Sequence, residues 1–259
     1  MYHTEKRKIM PLSVQIIAHR GASAEAPENT IAAINRALAL GADYVEIDVR
    51  LSKEGIPVLL HDPSTSRVAG NSCTLPIDSL YLDQIQEIEI GKPFGEAFFG
   101  ERIPTLHDVL NLNWKKTGLM LEIKEGSQEP KQLVEAVFSV FDSIKCPLPS
   151  LVIGSFSLDI MKEVQKHPSY GKFSISRIGI LEKMERVPLF LEEGIKHLAL
   201  WHPLATLELT SFLKKEGIEM WAFTVDDLKI ARHLISLSIK GIISNNPKKL
   251  LESEVYDLH

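Results

Sequence analysis

The chain has 259 residues, 44% apolar and 24% charged, a balance that excludes disordered and fibrous classes and gives one large domain an ample core. Its 34 acidic and 29 basic residues leave a net charge of −5, which argues against a nucleic-acid-binding surface but leaves room for a local basic pocket for a small anion. No apolar run approaches the ~18 residues of a spanning helix, so no transmembrane segment is expected.

The N-terminus offers a decoy. Lys6, Arg7 and Lys8 followed by Ile9 to Ala18 mimic a secretion signal, but Pro11, Ser13 and Gln15 interrupt it, and cleavage after Ala18 would remove a strand. Cys73 and Cys146 fit neither a disulfide framework nor a zinc spacing. A reducing, cytoplasmic setting is expected.

From there the chain alternates strand-like and helical runs. Val14 to Ala18 reads as a strand, Asn29 to Leu40 as a helix capped by Asn29 or Thr30 and ended by Gly41, Tyr44 to Leu51 as a strand, and Pro57 to Leu60 as its hairpin partner. A Gly-, Pro- and Ser-rich stretch at about 62–104, with one helix-like run near Leu80 to Ile88, reads as an insertion. The alternation resumes with helix Leu106 to Trp114, strand Leu119 to Lys124, helix Lys131 to Ile144, strand Leu151 to Phe156 and helix Leu158 to Lys166. Strand Phe173 to Ile178, helix Lys183 to Glu193, strand His197 to Leu200 and helix Leu204 to Lys215 follow. Strand Met220 to Val225, helix Asp226 to Leu237, strand Gly241 to Ser244 and a helix after Pro247 close the series. About eight βα units predict a single (β/α)8 TIM barrel over 1–259 with a small insertion after the second strand. A doubly wound sheet would usually carry a GxGxxG fingerprint after its first strand, and none is present.

Charge interrupts the apolar strands at informative places. In Tyr44-Val45-Glu46-Ile47-Asp48-Val49 the apolar set shares one face, so Glu46 and Asp48 point together into the barrel. Two such acids need a shared proton, a cation or an ion-pair partner. Glu122, on a face with Lys124, supplies a third hard oxygen ligand and tips the balance toward one divalent cation, Mg²⁺ or Ca²⁺. Lys124 then suits a bound anion, its plainer alternative being a salt bridge to Glu122.

His19 and His61 end strands at the rim where barrel enzymes keep their chemistry, and suit an acid/base pair. Arg20 offers a planar fork for two phosphate oxygens. His202, just past the sixth strand, is placed at the pocket mouth, and Trp221 toward the pocket, with core packing as its default. His3, His107, His167, His233 and His259 are expected at the surface. GxSxG, P-loop, HExxH and CxxC motifs are all absent.

His19-Arg20-Gly21, Pro27-Glu28-Asn29-Thr30, Glu46-Ile47-Asp48-Val49, His61-Asp62 and Glu122-Ile123-Lys124 together resemble the successive motifs of the glycerophosphodiester phosphodiesterases. Pro104-Thr105-Leu106, Ser155-Phe156 and Trp221 to Asp226 extend the likeness over almost the whole chain. The resemblance implies a barrel with an insertion after the second strand, and hydrolysis of small glycerophosphodiesters such as glycerophosphocholine to glycerol 3-phosphate and an alcohol. It implies metal binding by Glu46, Asp48 and Glu122, acid/base roles for His19 and His61, phosphate contacts from Arg20 and Lys124, and site shaping by Glu28 and Asn29. Departures lie late: Ser244-Asn245-Asn246-Pro247 replaces a usual Thr-Asp or Thr-Asn, and Trp221-Ala222-Phe223-Thr224 spaces a Trp-Thr pair differently. Two rivals remain. A lysophospholipase D would use the same site with an apolar rim, for which Phe94, Phe98 and Phe99 are candidates, though burial against the barrel is expected of them; a non-catalytic barrel module would have no reason to keep buried acids together.

Overall fold

Short runs rich in Ile, Val and Leu, separated by amphipathic helices, fold into the parallel sheet that such alternation favours. In a computed structural model the described residues are 14–70, 74–145 and 147–253. Lys6 to Lys8, His3, His259, Cys73 and Cys146 lie outside them.

Eight parallel strands form a closed barrel: β1 (Gln15–Ala18), β2 (Tyr44–Leu51), β4 (Gly118–Ile123), β5 (Leu151–Ser155), β6 (Ile175–Leu181), β7 (His197–Trp201), β8 (Glu219–Phe223) and β9 (Gly241–Ser244). Closure comes from β1, which pairs in parallel with both β9 and β2. The short β3 (Pro57–Leu59) runs antiparallel along β2, matching Val49 with Leu59. It therefore descends from the top of β2, and Leu60 donates its N–H to the Asp48 carbonyl at 3.1 Å. His61 arrives at the level of the acids.

The strand period decides what fills the barrel. Outward residues Val45, Ile47, Val49, Leu119 and Leu121 pack with Ile34 and Ala37 of α1 (Ile31–Leu40) and with Val134, Val137 and Phe138 of α4 (Pro130–Ser143). Inward residues Ile17, Met120, Val152, Ile178, Ile180, Ala199, Trp221 and Ile243 form a separate apolar plug inside the barrel. The next inward step along each strand reaches the rim.

Local chemistry sets several boundaries. Thr30, not Asn29, caps α1 by accepting from Ala33 N–H at 3.2 Å, and Gly41 closes it in the left-handed region at φ 74°. After the rim, β6 starts two residues later than predicted and runs on through Leu181, because Tyr170 to Lys172 make a tight turn ahead of it. The helix expected from Lys183 is a 3-10 turn at Met184–Arg186 leading into Val187–Glu192, since Pro188 fits only a first turn. Residues of the insertion enclose their own small core of Ala69, Ile77, Leu80, Ile85, Ile88, Ile90 and Ile103 against Val58 and Leu60. Phe94 and Phe99 stand exposed rather than buried against the barrel. His167 is also not a plain surface group: it stacks on Phe138 at 4.0 Å between ring centroids.

Candidate active site

The site begins with a tight turn after β1 that requires glycine at position 21. Gly21 takes φ 81°, and a Cβ there would meet the Ala33 backbone at 2.6 Å, so α1 packs directly on the turn. Arg20 precedes it at φ 56° and donates its backbone N–H to Glu46 Oε2 at 2.8 Å. Asn29, buried with φ 55°, faces inward: its Nδ2 donates to Asp48 Oδ2 at 2.8 Å and its Oδ1 accepts from Asp48 N–H at 3.1 Å. One side chain thus fixes both the backbone and the carboxylate of Asp48.

Glu46, Asp48 and Glu122 are all buried, and one carboxylate oxygen from each lies within 4.8 Å of the others. Lys124 Nζ stands 3.0 Å from Asp48 Oδ1 and 2.5 Å from Glu122 Oε1, while Arg20 Nε stands 3.2 Å from Asp48 Oδ2. Glu46 Oε1 is buried with no hydrogen-bond donor among the described residues. The charges divide unevenly. Burial opposes ionisation of Asp48, but Lys124 and Arg20 outweigh it and hold this carboxyl well below the usual range. Burial pushes Glu122 up to about 7, against the pull of Lys124 and with repulsion from Asp48 added. Burial, then the neighbouring Asp48 and Glu122 charges, raise Glu46 well above a normal glutamate. Three converging acids that cannot all ionise unaided, one with an orphaned oxygen, fit a divalent cation bound through oxygen.

The two histidines are held by different partners. Asn245 Nδ2 donates to Asp226 Oδ2 at 2.8 Å, so its Oδ1 faces His19 Nδ1 at 2.7 Å and accepts from it. Nε2 of His19, 4.0 Å from Glu46 Oε2, is left as the ring's acceptor. Burial and the adjacent Arg20 push His19 down to about 4. His61 Nδ1 lies 2.7 Å from Asp62 Oδ1, and burial lowers it too. Arg50 grips the His61 carbonyl through Nε at 2.9 Å and Nη2 at 2.8 Å.

Sequence reasoning missed Arg67. It donates to Asp62 Oδ2 at 2.6 Å and to Glu28 Oε2 and Oε1 at 2.6 and 2.8 Å, while Glu28 Oε1 accepts from Arg20 Nη1 at 2.9 Å. One continuous chain of charges therefore links His61 to Asp48 through the insertion. No periodic pattern surrounds Arg67; its only signal is that it follows His61-Asp62 closely.

A cavity of about 500 Å³ opens over these groups, lined by His19, Arg20, Glu46, His61, Glu122 and Lys124 and, on its other side, by Phe156, Glu182, Trp201 and Phe223. Of the predicted positions, Asp48, Glu28 and Asn29 stand behind this lining, and Trp221 and His202 lie elsewhere. Trp221 is 1% exposed in the apolar plug, one strand step below the rim, beside His197 and Tyr44 and hydrogen-bonded to Glu219 Oε1 at 3.2 Å. His202 belongs to a separate groove with Thr206, Lys229 and His233, because the chain turns outward after Trp201. The aromatic groups at the mouth are Trp201 and Phe223 instead.

The family model described as "Glycerophosphoryl diester phosphodiesterase family" matches residues 19–249. A glycerophosphodiester phosphodiesterase of Caldanaerobacter subterraneus subsp. tengcongensis is 32% identical over 238 residues, covering 91% of this chain and 96% of the relative. Among solved structures, an Oleispira antarctica phosphodiesterase in complex with the product sn-glycerol-3-phosphate superposes with a TM-score of 0.84 at 27% identity, covering 91% of this chain and 94% of that one. A glycerophosphodiester phosphodiesterase from Thermotoga maritima gives a TM-score of 0.73 at 25% identity, covering 92% and 97%. The (β/α)8 barrel, the acids gathered at its rim and these likenesses agree: the chain belongs to the glycerophosphoryl diester phosphodiesterase family and is a phosphoric diester hydrolase.

Proposed function

We infer that the protein cleaves small glycerophosphodiesters, glycerophosphocholine and glycerophosphoethanolamine among them, to glycerol 3-phosphate and an alcohol, and that it works in the cytoplasm. The observation that carries this reading is the buried trio Glu46, Asp48 and Glu122, whose oxygens converge beside two imidazoles. These three carboxylates would hold one Mg²⁺ or Ca²⁺, which when bound supplies Lewis-acid stabilisation of phosphoryl charge.

The chain's own side chains account for the rest. A phosphodiester repels nucleophiles by its negative charge, and Arg20 and Lys124, both at the cavity wall, offset that charge as it grows toward the transition state. Two imidazoles on that wall divide the proton work, one taking a proton from the attacking hydroxyl and the other giving one to the departing alkoxide. Asn245 holds the Nδ1 side of His19 and Asp62 that of His61, so each ring turns Nε2 to the reaction, bare on the ring that takes the proton and protonated on the ring that gives one. Asn29 and Glu28 hold Asp48 and Arg20 in place.

Glycerol 3-phosphate release from glycerophosphocholine tests the reading. Turnover is expected with Mg²⁺ or Ca²⁺ and loss of it in EDTA, reversed by adding either ion. Full activity in chelator removes the cation from the account, and no release from any glycerophosphodiester overturns the reading itself.

A further inference from the structure

The cavity has a second wall that catalysis does not use. Continuing the inward step of β5, β6, β7 and β8 beyond the apolar plug brings Phe156, Glu182, Trp201 and Phe223 to four successive strand ends. Phe156 and Phe223 meet edge to face at 6.0 Å between centroids. Trp201 is 44% exposed and lines the cavity. Glu182 is exposed and makes no ion pair or hydrogen bond among the described residues, unlike the acids opposite, which are held by Arg20 and Lys124. Lys124 Nζ already lies 5.8 Å over the Phe156 ring, so Phe156 marks the border between the two walls.

Aromatic faces beside an unpaired carboxylate attract a weakly hydrated cation, through the ring quadrupole and through charge. A phosphate seated against Arg20 and Lys124 would direct one of its two alcohol groups toward this wall. We propose that Phe156, Glu182, Trp201 and Phe223 form a subsite for a cationic amino-alcohol headgroup, with the quaternary ammonium of choline favoured over neutral polyols. This rests on the reading of the protein as a glycerophosphodiesterase and names the alcohol it prefers. Choline suits the wall best because its methyl groups cover the aromatic faces while the charge faces Glu182.

The test compares kcat/KM for glycerophosphocholine with that for glycerophosphoglycerol, whose second alcohol is uncharged. The wild-type ratio is expected to favour choline. Glu182→Gln should lower the ratio, and Trp201→Leu should lower it about 3- to 10-fold, as loss of a cation–π contact does, while Trp201→Phe retains most of it. Changes in folding or in the catalytic groups cancel in the ratio. A ratio that neither Glu182→Gln nor Trp201→Leu moves overturns the proposal, because the carboxylate then reads the glycerol common to both substrates or reads nothing. Glycerol 3-phosphate release with a wild-type ratio near one overturns this proposal alone; no release from either diester overturns it together with the reading beneath it.

Discussion

The two halves of the barrel mouth are built from the same strand geometry and filled with opposite chemistry. On the side of β1, β2 and β4, inward positions carry His19, Glu46, Asp48, Glu122 and Lys124, each tied to at least one partner. On the side of β5 to β8 they carry the half-buried Phe156 and Phe223 and the exposed Glu182 and Trp201. A charged half must be fixed in place, because a buried charge that loses its partner is costly. An aromatic half can tolerate substitution and so is free to set selectivity. Rate should reside in the first and preference in the second.

The largest effect that would sharpen this division comes from the histidines. His19→Ala and His61→Ala are each expected to reduce kcat by about 100-fold or more, the usual consequence of losing a general acid or base. Near-normal glycerol 3-phosphate release by either variant would break the assignment of rate to the polar half. A smaller effect is expected from Arg67, which touches neither acid cluster nor cavity directly but joins Asp62 to Glu28. Arg67→Ala should cost about 10-fold in kcat with little change in KM, in the range for groups that orient a reacting shell. Arg67→Lys should recover part of it through charge alone, and an equal loss in both variants would mean that only the guanidinium fork can bridge Asp62 and Glu28.

The smallest effect is a pH slope. Folded Glu122 keeps its proton up to about 7, whereas the unfolded chain releases it near 4.5. The folded state therefore binds more protons across that window, and this group makes stability fall as pH rises through it. His19, pushed down to about 4, contributes the opposite slope below 6.5. Urea unfolding in EDTA at pH 4.5 and 7, for the wild type and Glu122→Gln, isolates the glutamate: the variant should lose less stability on going to pH 7. Equal losses would show that folding leaves the titration of Glu122 unchanged.

Much of the polar half was legible from sequence, since an alternating strand with two acids among Val45, Ile47 and Val49 dictates where those acids point. The same period extends to the aromatic half, from Ile180 to Glu182, from Ala199 to Trp201 and from Trp221 to Phe223. It went unread there because one exposed glutamate or aromatic carries no local conflict to notice. Trp221 packs in the core, the default for such a ring, one inward step below the rim, whereas His202 follows a turn that carries the chain away from the mouth. Arg67 and the Asp226–Asn245 pair act through loops. Loop side chains meet only after the fold is closed, so no spacing rule announces them.

The arm from 62 to 104 emerges from the return strand that carries His61, and its Arg67 spans the gap to Glu28. A protein engineer seeking a minimal barrel could not excise this arm as ornament. The shortened chain would retain its trio of carboxylates yet take Asp62 from His61 and the Arg67 counter-charge from Glu28, so the excursion is better regarded as a brace for the site than as an appendage to it.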